Sequence, residues 1–326
     1  MPDFIFLSSI FMTKPVWMWL VFTTIVFLLL AFDLGIINRK EHEIGTKESI
    51  IFSLFYISIG LLFGGLVFLE LGEIKAIEYL TGFIVEKTLS IDNVFVIALV
   101  FSFFHIPRIY QHRVLFWGIF GALILRGIMI GVGAALVSEF EWVLYLFSAF
   151  LIFTGAKMLF VKEAETDLNE NPLLRFMKKH FYVTEKLHGH AFFVRQPARK
   201  KDHIVTWVTP LFLCLVMVEF ADILFAIDSV PAIFLITTDP FIVYTSNIFA
   251  ILGLRALYFV LASMIKRFHY LKYALSLVLV FIGSKTFIAH FMEMDKFPVS
   301  WSLGVTFGLL GGGILFSLYK TRQEKL

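Results

Sequence analysis

Two apolar stretches of this sequence carry carboxylates where a lipid bilayer would exclude them. The stretches are 86-EKTLSIDNVFV-96 and 219-EFADILFAIDSVP-231, and their acidic residues are Glu86, Asp92, Glu219, Asp222 and Asp228. A charged side chain at the centre of a bilayer costs at least about 2.5–3.5 kcal/mol on insertion scales. Acids in such places therefore need a counter-charge, protons or a bound cation.

Protons and metal ions compete for carboxylates in an apolar environment. Burial and a neighbouring carboxylate both favour the protonated acid, whereas a bound cation favours the ionised one. A cluster of Glu86, Asp92, Asp222 and Asp228 would therefore exchange protons for a metal ion, which is the chemistry of a cation/proton exchanger. Glu219 lies three residues before Asp222, so a regular helix would place both on one face.

The other candidate donors in the two stretches are also oxygens. The Asn93 amide, the Ser229 hydroxyl and backbone carbonyls near Pro231 join the carboxylates as possible ligands. Hard oxygen ligands suit Mg²⁺, Ca²⁺ and Mn²⁺, whereas zinc and copper favour His or Cys, which neither stretch contains. The residues alone predict a site for a hard divalent cation and leave the choice among these ions open.

The elements that must position these residues are membrane-spanning helices. Of the 326 residues, 59% are hydrophobic, and apolar runs recur from end to end, as in polytopic membrane proteins. The sequence predicts an all-α polytopic fold with about nine transmembrane helices, each near the length that crosses a bilayer. The predicted spans are 16–37, 49–71, 78–103, 112–137, 142–160, 206–236, 240–263, 270–290 and 299–319. The sixth is too long for one straight crossing and is predicted to bend or break near Pro231.

Basic residues divide unequally between the two sides of the predicted membrane. If the spans alternate in direction, one side holds only Lys14, Lys75 and Lys296, and the other loop Lys and Arg residues lie opposite. Basic residues stay in the cytoplasm, so the N-terminus is predicted to be outside and the C-terminus inside. The net charge of +3 is small and gives no indication of nucleic-acid binding.

Three pairs of similar segments occur in the same order and indicate an internal repeat. The pairs are 86-EKTLSIDNV-94 with 222-DILFAIDSV-230, 118-GIFGALILR-126 with 247-NIFAILGLR-255, and 153-FTGAKMLF-160 with 281-FIGSKTFI-288. The predicted units are two helices in 1–77, a first three-helix repeat in 78–160, a cytoplasmic loop in 161–205, a second repeat in 206–290, and a last helix with a tail in 291–326. Because the repeats begin on opposite sides they are inverted, as in many secondary transporters with a midplane substrate site.

Basic residues inside the spans offer a structural alternative to a metal site. Lys87, Arg126, Lys157, Arg255 and Lys285 could pair with the acids and hold helices together. Arg126 and Arg255 occupy matching positions in the repeats, and either neutralise one carboxylate each or repel the cation at one stage of a cycle. For these two arginines, structural pairing is the preferred interpretation. The spans contain no nucleophile–base pair or nucleotide-binding loop, so an enzyme is not expected.

The 161–205 loop is polar and mixed in charge. It is interpreted as a solvated connector with a surface helix. Its histidines, His180, His188, His190 and His203, leave a regulatory metal site open, although their spacing matches no known ligand pattern.

The same stretches resemble the TerC family of bacterial membrane proteins, most closely its Alx branch. The resemblance rests on 86-EKTLSIDNVFV-96, on residues 219–259, on 279-LVFIGSKTFI-288 and on 192-FFVR-195. It implies a manganese exporter of the bacterial inner membrane, in a family linked to tellurite resistance and to pH or redox responses. The family's acidic membrane residues would map onto Glu86, Asp92, Glu219, Asp222 and Asp228.

Residues and resemblance together predict a secondary transporter that exports Mn²⁺, driven by inward protons. The predicted ligands are Glu86, Asp92, Asn93, Glu219, Asp222, Asp228 and Ser229. Mn²⁺ is the substrate, no cofactor is expected, and the expected partners are the divalent ion, protons and the bilayer. The alternatives are an exchanger for Ca²⁺ or another cation, and a non-transporting membrane factor for metal or redox stress.

Overall fold

The computed structural model describes residues 9–32, 45–160, 171–198, 201–262, 271–294 and 297–323. The helices in these residues are α1 (Val16–Phe32), α2 (Thr46–Leu71), α3 (Glu73–Phe103), α4 (Arg108–Glu139), α5 (Trp142–Phe160), α6 (Pro172–His180), α7 (Pro210–Phe234), α8 (Pro240–Leu252), α9 (Leu254–Ala262), α10 (Leu271–Phe291) and α11 (Val299–Gln323). Two antiparallel hairpins complete the described structure: β1 (Ile10–Phe11) with β2 (Lys14–Pro15), and β3 (Phe193–Ala198) with β4 (Lys201–Val208).

Many of these helices are fit to cross a membrane. Among the described residues, the stretches long and apolar enough are Lys47–Leu71, Arg108–Glu139, Trp142–Phe160, Pro210–Phe234 and Lys272–Phe291. Shorter apolar helices occupy Val16–Phe32, Pro240–Leu252 and Trp301–Ser317. Helix α3 is long, but its acids and lysines make it more polar, and it packs against several other helices inside the bundle. The prediction of a helical polytopic membrane protein is confirmed, and the count of nine spans stays a prediction.

The sixth predicted span is not broken near Pro231, so that half of the expected bend or break is wrong. Strand β4 occupies the chain as far as Val208, so α7 begins at Pro210 rather than at the predicted residue 206. The helix then continues through Pro231 to Phe234. A proline removes one backbone hydrogen bond, and within the last turn of a helix this loss does not end the helix. The backbone carbonyls there are therefore not freed by an early break.

The seventh predicted span, 240–263, is divided at Gly253 into α8 and α9. The Lys87 ammonium of α3 donates to the Ala250 carbonyl at 3.0 Å. A Cβ atom at position 253 would lie 2.6 Å from that Lys87 Nζ, so a larger residue there would require the lysine side chain to shift. The inserted side chain takes a carbonyl that a continuous helix would use, which is a common cause of interrupted helices.

Helices α5 and α10 approach each other closely through glycine. A Cβ atom on Gly155 would lie 2.8 Å from the Ser276 carbonyl oxygen, and one on Gly283 would lie 2.6 Å from the Ser148 carbonyl oxygen. Gly155 and Gly283 are paired in the sequence repeat, and Ser148 and Ser276 have the same separation along the chain. Two helices related by a two-fold axis have such reciprocal contacts. The full inverted repeat of three helices plus three stays a prediction.

The described part of the 161–205 segment forms helix α6 and the β3–β4 hairpin. Leu174 and Met177 on α6 are buried against the apolar cluster that also contains Leu211 and Leu213 of α7. Residues 161–170 and 199–200 lie outside the described residues. Over all the residues that the structure describes, in this segment and in the helices alike, no group of three or more His, Cys, Asp or Glu side chains is placed to hold a metal ion.

Helix α6 has a side-chain cap whose removal should loosen it. The Asn171 side chain accepts hydrogen bonds from the backbone N–H groups of Leu173 and Leu174, at 2.9 and 3.4 Å. Asn171→Ala is expected to destabilise α6 by about 1 kcal/mol, whereas Asn171→Asp keeps an N-cap acceptor. Hydrogen exchange across residues 172–180 would measure this. Equal protection in the Ala and Asp variants would contradict the assignment.

Candidate cation site

Arg126 of α4 lies at the centre of a buried polar network. Its guanidinium is fully buried and pairs with the carboxylates of Glu86 on α3 and Asp222 on α7. Arg126 Nη2 donates to Asp222 Oδ1 at 2.9 Å, and Nε donates to Asp222 Oδ2 at 3.3 Å. Arg126 Nη1 donates to Glu86 Oε1, to Asn247 Oδ1 at 2.9 Å and to Ser229 Oγ at 3.3 Å. One arginine thus joins four helices.

Helical periodicity explains which residues of the two acidic stretches meet. Glu86 and Asn93 are seven residues apart on α3, and Asp222 and Ser229 are seven apart on α7. Seven residues make about two turns, so each pair lies on one face of its helix. Those two faces meet Arg126 and each other.

A cavity lies beside this network. It is displaced toward the end of the bundle that carries the loop 104–107 and the β3–β4 hairpin, and we call this end the hairpin side. Asn93, Glu219 and Asp222 supply its charged and amide groups. The rest of its wall is apolar or glycine: Ile97, Leu115, Gly118, Ile119, Ala122, Val218, Ala221, Phe225, Ile251 and Leu254. The cavity is thus a small, mostly apolar space lined by a few side chains whose oxygens could act as metal ligands.

Three buried oxygens at this site accept no hydrogen bond. They are Glu86 Oε2, Asn93 Oδ1 and Glu219 Oε2. A buried acceptor without a donor costs about 1–3 kcal/mol, and more when it is charged. Asn93 and Glu219 line the cavity and Glu86 does not, and no three acidic side chains of the described residues are placed to hold a metal ion together. Protons or a cation with few protein ligands would satisfy such unpaired acceptors.

Gly121 of α4 makes room for the Glu219 carboxylate. A Cβ atom at position 121 would overlap the Glu219 carboxylate oxygens. Glycine therefore lets a carboxylate of α7 lie directly against the backbone of α4. Neither Gly121 nor Asn247 was among the residues predicted from the sequence. In the second repeat the matching residue is Ala250, so the glycine is not repeated there.

Asp228 does not join this site, which corrects its assignment as a converging ligand. The polar groups that face the Asp228 carboxylate are the Thr154 hydroxyl and the Lys157 ammonium of α5. Asp228 is six residues from Asp222, so the two point about 120° apart around α7. Asp92 lies on α3, but its side chain is outside the described part of the structure.

The arginines also differ from expectation. Arg126 pairs with two carboxylates rather than one, so Glu86 and Asp222 share a single counter-charge. Ser229, predicted as a ligand, contacts Arg126 instead of the cavity. The Arg255 side chain lies outside the described residues. Structural pairing is therefore real for Arg126, but it leaves Glu86 Oε2 and Glu219 Oε2 without a hydrogen-bond partner.

Ion pairs occupy the opposite end of the bundle from the hairpin side. Lys14 Nζ, in the N-terminal hairpin, lies 2.9 Å from Asp239 Oδ2 at the start of α8. Near it, Glu78 Oε2 accepts hydrogen bonds from Lys75 Nζ at 2.6 Å and from Thr237 Oγ1 at 2.5 Å. Asp239 and Glu78 are both buried or nearly so. These contacts tie the N-terminal hairpin, α3 and the α7–α8 connection together.

Comparisons with known proteins agree with this architecture. The model of the integral membrane protein TerC family matches residues 71–325. An uncharacterized membrane protein of Rickettsia bellii (strain RML369-C) is 47% identical over 302 residues, which cover 93% of this chain and 97% of the relative. Proteins named "Putative membrane-bound redox modulator Alx" are 44% identical in Salmonella typhi, covering 94% of this chain and 95% of the relative, and 43% identical in Escherichia coli (strain K12), covering 90% and 91%.

No solved structure matches the chain. The family match spans most of the sequence and includes every residue of the Arg126 network. The chain belongs to the TerC family of integral membrane proteins.

Proposed function

We propose that this protein is a secondary transporter that exports a hard divalent cation, Mn²⁺, in exchange for protons. The observation that carries the proposal is the set of unpaired buried oxygens, Glu86 Oε2, Asn93 Oδ1 and Glu219 Oε2, beside a cavity within apolar helices. A protein that used these acids only to hold helices together would be expected to satisfy them. Their cost is offset if a cation or protons occupy the site.

The donor set supports the substrate class. The polar groups of the cavity are two carboxylates and one amide, all oxygen ligands suited to Mn²⁺, Ca²⁺ or Mg²⁺. The choice of Mn²⁺ among these ions rests on the resemblance to the family. Ca²⁺ is the rival substrate, and a direct competition distinguishes the two.

The surroundings of the site support proton coupling, and they are compatible with the outward direction that the family resemblance implies. The apolar wall favours carboxylates that hold either protons or a cation, so binding one releases the other. The cavity lies toward the hairpin side, and ion pairs occupy the opposite end. The predicted orientation in a bacterial inner membrane puts the hairpin side in the cytoplasm. The arrangement thus suits a transporter that takes up its substrate from inside.

The test is ⁵⁴Mn²⁺ uptake into inverted membrane vesicles with a pH gradient. We expect uptake by the wild-type protein, and a loss of about tenfold or more in Glu219→Gln, because ligand charge sets the affinity for hard cations. Glu70→Gln, at the exposed end of α2, is the matched control and should transport normally.

The outcomes separate the alternatives. Collapse of the pH gradient should reduce uptake, and excess Ca²⁺ should compete poorly. Strong inhibition by Ca²⁺ would make Ca²⁺ the substrate. Equal background flux in the wild type and in Glu219→Gln, with both proteins folded, would contradict transport and favour a non-transporting role in metal or redox stress.

A further inference from the structure

The β3–β4 hairpin has one open face that carries apolar side chains. Arg195 lies opposite Thr206 in the strand register. Pro197 lies opposite Ile204 in the same way, and opposed residues of an antiparallel pair share a face. These four side chains are exposed, and Phe193 is exposed at the base of the same face. Ile204 is 70% exposed and Phe193 is 52% exposed. Exposed apolar surface of this kind marks a place where a protein or a membrane binds.

The opposite face of the hairpin is covered by the chain itself. Trp207 is buried, and its ring contacts the ring of Tyr182 with centroids 5.2 Å apart. The side chain of Gln196 reaches His188, with 3.4 Å between the two Nε2 atoms. The protein thus packs residues of the segment 182–188 against one side of the ribbon and leaves the other side open.

The open face adjoins the first turn of membrane helix α7. The ring of Phe193 packs on the ring of Phe212, with centroids 4.6 Å apart. Strand β4 ends at Val208 and α7 begins at Pro210, so the ribbon is attached where the apolar helix starts. Aromatic side chains are enriched at this level, where a helix enters the headgroup layer. The bilayer is therefore the apolar surface nearest to the open face.

The hairpin is also basic. Residues 193–208 contain four Lys or Arg residues and one acidic residue. Arg195 is exposed on the open face and forms no ion pair with any residue that the structure describes. Each Lys or Arg held near an anionic bilayer surface strengthens binding about fivefold. An apolar face with an unpaired arginine is thus complementary to an anionic lipid surface.

We propose that the open face of the β3–β4 hairpin lies on the bilayer, with Phe193 and Ile204 in the headgroup layer and Arg195 on an anionic lipid headgroup. The inference does not depend on the proposed transport. Four residues of a strand span about 13 Å, so an upright ribbon would hold Ile204 well away from the attachment point at Val208. The headgroup layer is only about 5–8 Å deep. The depth of Ile204 therefore distinguishes a ribbon that lies flat from one that stands in water.

The test measures this depth in full-length protein, one copy per nanodisc, in equal parts of phosphatidylcholine and phosphatidylglycerol. Ile204→Cys carries a fluorophore, and lipids with a nitroxide on the headgroup quench it. Cys214 is buried, so the label reacts at the introduced cysteine. Lys186→Cys is the matched control, because Lys186 is exposed in the segment on the covered side of the ribbon. We expect strong quenching at position 204 and weak quenching at position 186. Equal quenching at the two positions would overturn the inference.

A second set of variants tests the charge. In the labelled Ile204→Cys protein, Arg195→Gln should lower the ratio of docked to free ribbon about fivefold, measured from the quenched and unquenched fractions across a salt titration. Arg195→Lys keeps the charge and should stay within about twofold of the parent. Identical ratios in all three proteins, or in nanodiscs of phosphatidylcholine alone, would overturn the binding of anionic lipid. A label at position 204 that is shielded from acrylamide but not quenched by the lipids would show that protein covers this face, and would also overturn it.

Discussion

Neutralising Glu86 and Asp222 together is expected to destabilise the protein by about 3–5 kcal/mol, because it leaves a buried guanidinium without a counter-charge. Arg126 is fully buried, and these two carboxylates are its ion-pair partners in the described structure. The Gln and Asn side chains of the double variant keep the shape of the original residues and some of their hydrogen bonds. The loss of stability therefore measures the effect of removing the negative charges. Thermal or chemical unfolding in detergent micelles measures it.

The matched control adds Arg126→Gln to the same double variant. Replacing a whole buried ionic group with neutral residues is often nearly neutral for stability. The triple variant should therefore recover much of the stability that the double variant loses, although it has one more substitution. If the double and triple variants were equally unstable, the loss would come from packing and not from an uncompensated charge.

Enlarging Gly155 is expected to have the second large effect, on the packing of α5 against α10. A Cβ atom there would lie 2.8 Å from both the Ser276 carbonyl oxygen and Val280 Cγ2. A backbone oxygen cannot move aside as a side chain can, so the helices must separate. Gly155→Ala should cost about 1–3 kcal/mol, and Gly155→Leu more. Small residues at membrane helix interfaces serve this close approach.

Gly308→Ala on α11 is the control, since no atom lies within 4 Å of a Cβ atom at that position. Unfolding in detergent should show little change for this variant and a clear loss for Gly155→Ala. Gly283→Ala should behave like Gly155→Ala, because its Cβ would lie 2.6 Å from the Ser148 carbonyl oxygen. Normal stability of both variants would show that the α5–α10 contact is looser than described.

The candidate cation site illustrates what a sequence can and cannot predict. Glu86, Asn93, Glu219 and Asp222 were identified because acids and amides are costly in apolar runs, and the structure brings them to one place. Asp228 satisfied the same criterion but turned away toward Thr154 and Lys157. Asp222 and Asp228 differ in their angular position around α7, and a hydropathy pattern does not report that angle.

Arg126 and Gly121 show a second limit. Arg126 was recognised as a buried charge, but its pairing with two carboxylates depends on α3, α4 and α7 meeting at one level. Gly121 carries no chemical group, so its role exists only because Glu219 of another helix lies against it. Similarly, Gly253 divides α8 from α9 because the Lys87 side chain of α3 reaches that point.

The sequence by itself determined that this chain is a helical membrane protein, where most of its helices lie, and which side chains carry oxygens within its apolar runs. Those properties follow from local composition, since apolar length fixes a membrane helix and residue type fixes a ligand. The tertiary structure alone decided which acids share Arg126, which oxygens remain unpaired and which end of the bundle holds ion pairs. These properties depend on how helices that are far apart in the chain are rotated and how they cross. The close packing between the helices sets both the rotation and the crossing.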